Sequence, residues 1–204
     1  MKIVLATHNA DKRTEIMKGF KPFNVHILSL NDFPEIGEII EDGDTLQENA
    51  FIKARIVHEI TGLPTIADDT GLEVDALNGA PGVYSARFAG ENCSYLDNVN
   101  KIILEMNNVP YTKRTATFKT CMVFVDNNLE LTAEGIVEGY ITEKPKGNDG
   151  FGYDPVFYVK ERKKTFAEMT IEEKNIISHR GKAIRNLCSL LESKIDLIIK
   201  EEDA

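Results

Sequence analysis

Residues 115–141 read TATFKTCMVFVDNNLELTAEGIVEGYI. Thr115 to Val125 and Leu129 to Ile141 are β-branched or aromatic and largely alternate, and Asp126-Asn127-Asn128 between them has the composition of a hairpin turn. The ribbon is flanked by alternating strands and helices. Toward the N-terminus, Ile3 to Ala6 is a short apolar run that reads as a buried strand. Asn9 can cap a helix through about Phe20, with Ile16 and Phe20 four residues apart on one face. Val25, Ile27 and Leu28 or Leu30 suggest a second strand, and Leu30 to Asp44 an acidic loop. Thr45-x-x-Glu48 is a capping box opening a helix striped by Leu46, Ala50, Ala54 and Val57, stopped by Gly62 and Pro64. Thr65 to Ala67 reads as a short strand ending at Asp68-Asp69. Leu72 to Leu77 alternates like another strand, and Asn78 to Gly82 is a turn cluster.

Beyond that turn, Ser94-x-x-Asp97 opens a helix with Val99, Ile102, Ile103 and Met106 on one face. After the ribbon come a glycine-rich loop at Gly147 to Gly152, an apolar strand at Val156 to Val159, and a short helix opened by Thr170-x-x-Glu173. A last helix spans about Gly181 to Lys200, with Ile184, Leu187, Cys188, Leu191, Ile195 and Ile198 as its stripe. A central ribbon between strand–helix alternations implies an α/β fold with a mixed sheet flanked by helices, in two lobes with a cleft. No G-x-G-x-x-G follows the first strand, which argues against a dinucleotide fold.

The chain has 204 residues, enough for one large domain or two small lobes and to bury roughly 70% of its unfolded surface. Its formal net charge is −9. Nucleic-acid backbones are bound through clustered Lys and Arg, so no nucleic-acid partner is expected. The one basic run, Lys160 to Lys164, reads as a solvated loop. An acidic protein can still take a polyphosphate if a divalent cation stands between the charges. Cys93, Cys121 and Cys188 lack the spacing of a zinc site and read as free thiols, the last two in the core. No stretch is long enough to span a bilayer, so no membrane partner is expected and the default location is cytoplasmic.

Four segments carry chemistry. Thr7-His8-Asn9-Ala10-Asp11-Lys12 joins the first strand to its helix, and is either a simple cap or a phosphate site built from amides and a lysine. Asp68-Asp69-Thr70-Gly71 places two carboxylates side by side. They repel unless a cation or protons intervene, and Mg²⁺ prefers few carboxylates plus waters and phosphate. Because neighbouring side chains of a strand point opposite ways, one aspartate can face a site while the other is structural. Gly150-Phe151-Gly152-Tyr153-Asp154-Pro155 holds two rings that could stack on a base or tuck into the core. Lys174-Asn175-x-x-Ser178-His179-Arg180-Gly181 is rich in donors. These suit a keto oxygen such as O6 of hypoxanthine or xanthine and would leave the amino group of adenine unpaired.

Taken together and in order, T-H-N-x-x-K from Thr7, EDGDTLQENAFIKA from Glu41, IADDTGL from Ile66, GAPGVYSAR from Gly79, GFGYDP from Gly150 and EKNIISHR from Glu173 resemble the inosine/xanthosine triphosphate pyrophosphatase family. The resemblance covers nearly the whole chain. It implies one catalytic domain, residues 1–204, of two lobes around an elongated twisted mixed sheet, with the active site in the cleft, and a homodimer. It implies hydrolysis of non-canonical purine nucleoside triphosphates (ITP, dITP, XTP) to the monophosphate and pyrophosphate. Thr7 to Lys12 and Lys53 would hold the triphosphate, and Glu41 and Asp69 the Mg²⁺. Asp69 would be the base, Asp68 its support, and Thr70 a substrate contact. Phe151, Gly152, Tyr153, Asp154, Lys174, His179 and Arg180 would enclose and read the purine. His8, Asn148-Asp149 and Thr70 depart from the family's commoner residues without removing a required group. Competing readings are a pyrophosphatase of modified pyrimidine triphosphates, a phosphatase releasing orthophosphate, and a nucleotide-binding module without catalysis.

Overall fold

The computed structural model describes residues 2–22 and 25–202, with backbone alone from 194 onward. Eight strands form one mixed sheet in the order β2-β1-β3-β5-β6-β7-β8, with β4 pairing β3. The strands are β1 (Lys2–Leu5), β2 (His26–Ser29), β3 (Thr65–Val74), β4 (Pro81–Gly82), β5 (Thr115–Val125), β6 (Glu130–Ile141), β7 (Phe157–Val159) and β8 (Lys164–Thr165). The helices are α1 (Ala10–Phe20), α2 (Leu46–Thr61), α3 (Tyr95–Glu105), α4 (Ile171–Ile177) and α5 (His179–Glu202). β1 runs parallel to β2 and β3, whereas β4, β7 and β8 pair antiparallel. The protein is therefore the mixed α/β fold that the strand–helix order implied.

The chain divides into two compact units, Met1–Asp69 with Thr120–Gly135 and Arg180–Ala204, and Thr70–Lys119 with Ile136–His179. In the first unit the sheet is buried on both faces. Ile3, Leu5, Ile66, Met122 and Phe124 pack with Ile16 and Phe20 of α1 and Ile184 and Leu187 of α5. Their neighbours along the same strands, Val4, Ala6, Ala67, Cys121 and Val123, pack with Ala50, Ala54 and Val57 of α2. The period of two sends successive residues to opposite faces, so a doubly covered strand must be apolar throughout. In the second unit one core gathers Leu72, Val74, Phe118, Val137, Ile141 and Phe157 with Val99, Ile102 and Met106 of α3. β5 records the change along its length. Thr115 to Lys119 alternates half-buried with buried, and Thr120 to Val125 is buried throughout.

All four capping signals are realised: Asn9 caps α1, and Thr45, Ser94 and Thr170 form capping boxes with Glu48, Asp97 and Glu173. α2 ends on Gly62 in the left-handed region. Lys160 to Lys163 form an exposed turn, as expected of a solvated loop. Two expectations need correction. Asp68-Asp69 do not end a strand: β3 runs unbroken from Thr65 to Val74, and Asp75–Leu77 is a short 3-10 turn. Adjacent carboxylates are tolerated within a strand because basic side chains neutralise both, Lys12 and Arg180 at Asp68 and Lys12 and Lys53 at Asp69. The last helix also begins two residues earlier than expected, at His179. Ile195 and Ile198 of its expected stripe lie outside the described side chains.

No helix among the described residues is long and apolar enough to cross a membrane. Cys121 and Cys188 are buried, and burial pushes both thiols up to about 12. Cys93 is half-buried. Because the thiolate is the reactive form, one thiol per native chain, Cys93, is expected to react promptly with an aromatic disulfide reagent at pH 8, against three in denaturant. Fast modification of Cys121 or Cys188 in the native protein would contradict their burial.

Candidate functional site: a lysine–carboxylate cluster and an aromatic–lysine cluster

The first cluster lies wholly in the first unit. After β1, Thr7 Oγ1 accepts the Asn9 amide at 3.2 Å, and a His8 ring nitrogen lies 3.1 Å from the Gly37 carbonyl. Asn9 Oδ1 accepts the amides of Asp11 and Lys12 at 3.0 and 2.9 Å. Two of the N–H groups that this turn could offer an anion are thus already engaged. What the turn projects instead is the Lys12 ammonium, 3.4 Å from Asp68 Oδ2 and 3.9 Å from Asp69 Oδ1.

From α2, Lys53 Nζ lies 2.5 Å from Glu41 Oε2 and 3.8 Å from Asp69 Oδ1. Glu41 and Asp69, 28 residues apart in sequence, therefore meet at one ammonium. No more than the sum of those two distances separates their oxygens. Asp68 shares Lys12 with Asp69. Its side chain is fully buried, with Arg180 Nε 3.2 Å from Oδ2, and Arg180 Nη1 is bonded in turn to Glu15. Arg180 and Glu15 are 1% and 3% exposed. Strand alternation thus gives the two aspartates different surroundings, Asp68 buried against Arg180 and Asp69 half-buried beside Lys53, with Lys12 reaching both.

Charge is shared unevenly in this network. Burial alone would raise the Asp68 carboxyl, but the charges of Lys12, Arg180 and Lys53, with the Arg180 hydrogen bond, hold it well below the usual carboxylate range. Burial pushes Lys12 down, with Asp68 opposing and Lys53 adding to the fall. Asp68 and Glu15 outweigh burial at Arg180 and raise it. Among the described residues no three His, Cys, Asp or Glu side chains are grouped so as to hold a metal ion by themselves. A cation at Glu41 and Asp69 would need further ligands from water and phosphate. That pattern suits Mg²⁺, which keeps several waters and takes one or two carboxylates.

The second cluster lies in the second unit. Lys174 of α4 is buried with Nζ 2.5 Å from Asp154 Oδ2, and the same oxygen accepts the Phe151 amide at 2.8 Å. The Lys174 ammonium sits 4.8 Å from the centroid of the Phe151 ring and 5.4 Å from that of Phe166. Phe151 in turn lies 5.8 Å from the ring of Tyr95. Gly150 has φ +74°, and a Cβ there would collide with the Asp154 carboxylate. Glycine is what lets the loop close on that oxygen. Of the two rings in this loop, Tyr153 is a core residue, its hydroxyl donating to the Ser85 carbonyl at 2.9 Å, whereas Phe151 is half-buried. His179 is buried and stacked on Phe118, centroids 4.4 Å apart. Thr70 is half-buried in β3, and Gly152 takes φ +60°.

The structure thus groups Lys12, Lys53, Glu41, Asp68 and Asp69 in one cluster and Phe151, Asp154 and Lys174 in another. Arg180, next to His179 in the donor-rich run, joins Asp68 to Glu15. Two members escaped sequence reading. Glu15 lies three residues after Lys12 and beside buried Ile16, a helical spacing that could have flagged it. Asn49, 2% exposed, donates from Nδ2 to Asp69 Oδ2 at 3.3 Å, and its i,i+4 relation to Lys53 was the available signal.

Fold and site together define a mixed α/β protein with a lysine–carboxylate cluster beyond the carboxyl end of its first parallel strand, a position where open α/β sheets bind ligands. Residues 3–190 match the model of the Ham1 family, and the chain belongs to that family. A dITP/XTP pyrophosphatase of Thermoanaerobacter sp. (strain X514) is 50% identical over 196 residues, 96% of this chain and 99% of that protein. Among solved structures, a HAM1 protein from Coxiella burnetii superposes with a TM-score of 0.86 at 38% identity, covering 95% of this chain and 99% of its own. The Staphylococcus aureus Ham1 protein gives 0.84 at 37%, covering 95% and 100%.

Removing the Asp68 carboxylate leaves Arg180 and Lys12 short of a buried counter-charge, and breaking such a pair costs about 3–5 kcal/mol. Asp68→Ala should lose that much stability in urea titrations at pH 7 in EDTA. The Asp68 pKa is lower folded than unfolded, so between those values the unfolded chain binds more protons and stability rises with pH. The contribution is complete above about pH 4 and is lost as pH falls through the folded value. The variant should therefore show a shallower acid limb. An unchanged limb and a loss under about 1 kcal/mol would contradict the assignment.

Proposed function

We propose that this chain hydrolyses non-canonical purine nucleoside triphosphates, ITP, dITP and XTP, to the monophosphate and pyrophosphate, with Mg²⁺ held by Glu41 and Asp69. The observation that carries the proposal is the meeting of those two carboxylates at Lys53 Nζ, with Lys12 beside Asp69. Support also comes from the relatives, which bear the name dITP/XTP pyrophosphatase.

Electrostatics gives an independent argument for the cation. The cluster sets four carboxylates (Glu15, Glu41, Asp68, Asp69) against three cations (Lys12, Lys53, Arg180), an excess of one negative charge. A triphosphate would be repelled by that excess, and one divalent ion reverses its sign. Two carboxylates with room for water and phosphate oxygens are a donor set that fits Mg²⁺. When bound there, Mg²⁺ would neutralise phosphate charge and acidify a water for attack.

The chain's own groups would do the rest. Asp69 takes a proton from the attacking water. The water oxygen adds to the α-phosphorus while the bond from that phosphorus to the bridging oxygen breaks, and pyrophosphate departs. Lys12 and Lys53 hold the phosphates and the charge that grows on the leaving group. Because Asn9 engages the Asp11 and Lys12 amides, we assign the phosphate grip of Thr7 to Lys12 chiefly to the Lys12 ammonium. Asp68 supports Asp69 by holding Lys12. In the second unit, Phe151 offers a ring for stacking and Lys174, fixed by Asp154, a donor for a 6-keto oxygen. Thr70, Gly152, Tyr153 and His179 complete the substrate set, Tyr153 and His179 as buried supports. We assign Arg180 to holding Asp68 and Glu15, rather than to the purine. The same reading takes the active enzyme as a cytoplasmic homodimer that binds neither nucleic acid nor membrane.

With ITP and Mg²⁺, the products should be IMP and pyrophosphate, and Asp69→Asn should lower kcat at least 100-fold with its melting temperature preserved. Release of IDP and orthophosphate, or a near-full rate in the variant, would defeat the proposal. Light scattering should give twice the monomer mass, and a monomer that turns over at the full rate would remove the dimer from it.

A further inference from the structure

Asn49 and Lys53, one turn apart on α2, each touch both of the segments that carry the paired carboxylates. Lys53 joins Glu41 Oε2 to Asp69 Oδ1. Asn49 joins the same acidic loop to the other oxygen of Asp69: its Oδ1 accepts the Gly43 amide at 2.8 Å, and its Nδ2 donates to Asp69 Oδ2 at 3.3 Å. The Gly43 N–H can only donate, which fixes that Asn49 atom as oxygen and turns the NH₂ toward Asp69. Gly43 is needed for this approach. A Cβ there would lie 2.7 Å from Glu48 Cβ, 2.9 Å from Asn49 Oδ1 and 3.1 Å from Asn49 N.

The two bridges respond differently to a cation. A divalent ion between Glu41 and Asp69 repels the Lys53 ammonium and competes for the oxygens it holds. The neutral carboxamide has no such conflict. It keeps Oδ2 of Asp69 occupied and leaves Oδ1 turned toward Glu41. We propose that Asn49 is a positioning residue for the Glu41–Asp69 pair, its carboxamide tying the Gly43 backbone to the Asp69 carboxylate so that the cation seat keeps its spacing when Lys53 is displaced. This rests on the reading given under Proposed function. Outer-shell partners of metal ligands typically contribute 10–100-fold in metal affinity or activity.

The test compares the full chain with Asn49→Ala, Asn49→Asp, Gly43→Ala, Gly43→Ala/Asn49→Ala and Asp69→Asn, scoring pyrophosphate release from ITP against Mg²⁺ concentration, melting temperature, and hydrogen exchange at the Gly43 amide. Asn49→Ala should raise the Mg²⁺ concentration for half-maximal rate about tenfold or more and speed Gly43 exchange, with little change in KM at saturating Mg²⁺. Asn49→Asp keeps the acceptor but loses the donor, so Gly43 stays protected while the Mg²⁺ midpoint rises. Gly43→Ala should reproduce the midpoint shift with Asn49 intact, and the double variant should be no worse than either single one, as expected for two ends of one contact. Asp69→Asn should leave Gly43 protected. A wild-type Mg²⁺ midpoint in Asn49→Ala, whether or not its melting temperature falls, overturns the inference; if Asp69→Asn is dead in the same assay, the proposed function survives. If the unaltered chain shows no Mg²⁺-dependent release, the functional reading falls and takes the inference with it.

Discussion

A carboxylate buried in a strand needs a counter-charge, and in this chain Lys12 and, from 112 residues away, Arg180 supply it to Asp68. Without those cations β3 could not carry two adjacent aspartates through a sheet covered on both faces, because desolvating an unpaired carboxylate costs several kcal/mol. With them, the strand stays continuous, and its alternation sends Asp68 to Arg180 and Asp69 to Lys53, while Lys12 lies within reach of both. Glu15 takes the other end of the guanidinium, so α1 and α5 are joined by charge as well as by the apolar contacts of Ile16, Ile184 and Leu187. The placement of the proposed base, Asp69, follows from the burial of its neighbour.

Charge also connects this arrangement to the proposed chemistry. The cluster is nearly neutral, with one negative charge in excess. Its lysines hold the carboxylates in place, and those same lysines would turn to phosphate once a divalent ion takes over the carboxylates. The second unit follows a parallel plan on a smaller scale: Asp154 holds Lys174, and the ammonium lies over the Phe151 ring. In each case a carboxylate fixes a lysine before any ligand arrives, which reduces the reorganisation left for binding.

Much of the fold was legible in the sequence because its signals are local. The capping boxes at Thr45, Ser94 and Thr170 and the Asn9 cap each depend on residues three or fewer apart, and all formed. The change in β5 from alternating to continuous burial is visible in TATFK followed by TCMVFV. The reading failed where the deciding partner is distant. Asp68-Asp69 reads as a break until Arg180 is known to reach it, so one ten-residue strand was divided in two. Arg180 itself, seen as one of a run of donors, gave no sign that Glu15 and Asp68 would engage it. Asn49 lay inside a recognised motif, but its link to Asp69 depends on α2 meeting β3, which no local pattern encodes. Tyr153 and Phe151 look alike in GFGYDP and differ in the fold, one with its hydroxyl on the Ser85 carbonyl and the other beneath a lysine.

The central claim is that a divalent ion bound with the nucleotide sits between Glu41 and Asp69. Crystals grown with Mn²⁺ and a non-hydrolysable ITP analogue, measured for anomalous scattering at the manganese edge, address it directly. The account predicts a peak at bonding distance (about 2.1 Å for Mg²⁺, similar for Mn²⁺) from a carboxylate oxygen of each residue and from a phosphate oxygen, with Lys53 withdrawn from Glu41. A metal peak away from both carboxylates, with the Lys53–Glu41 pair still closed over a bound nucleotide, would contradict it.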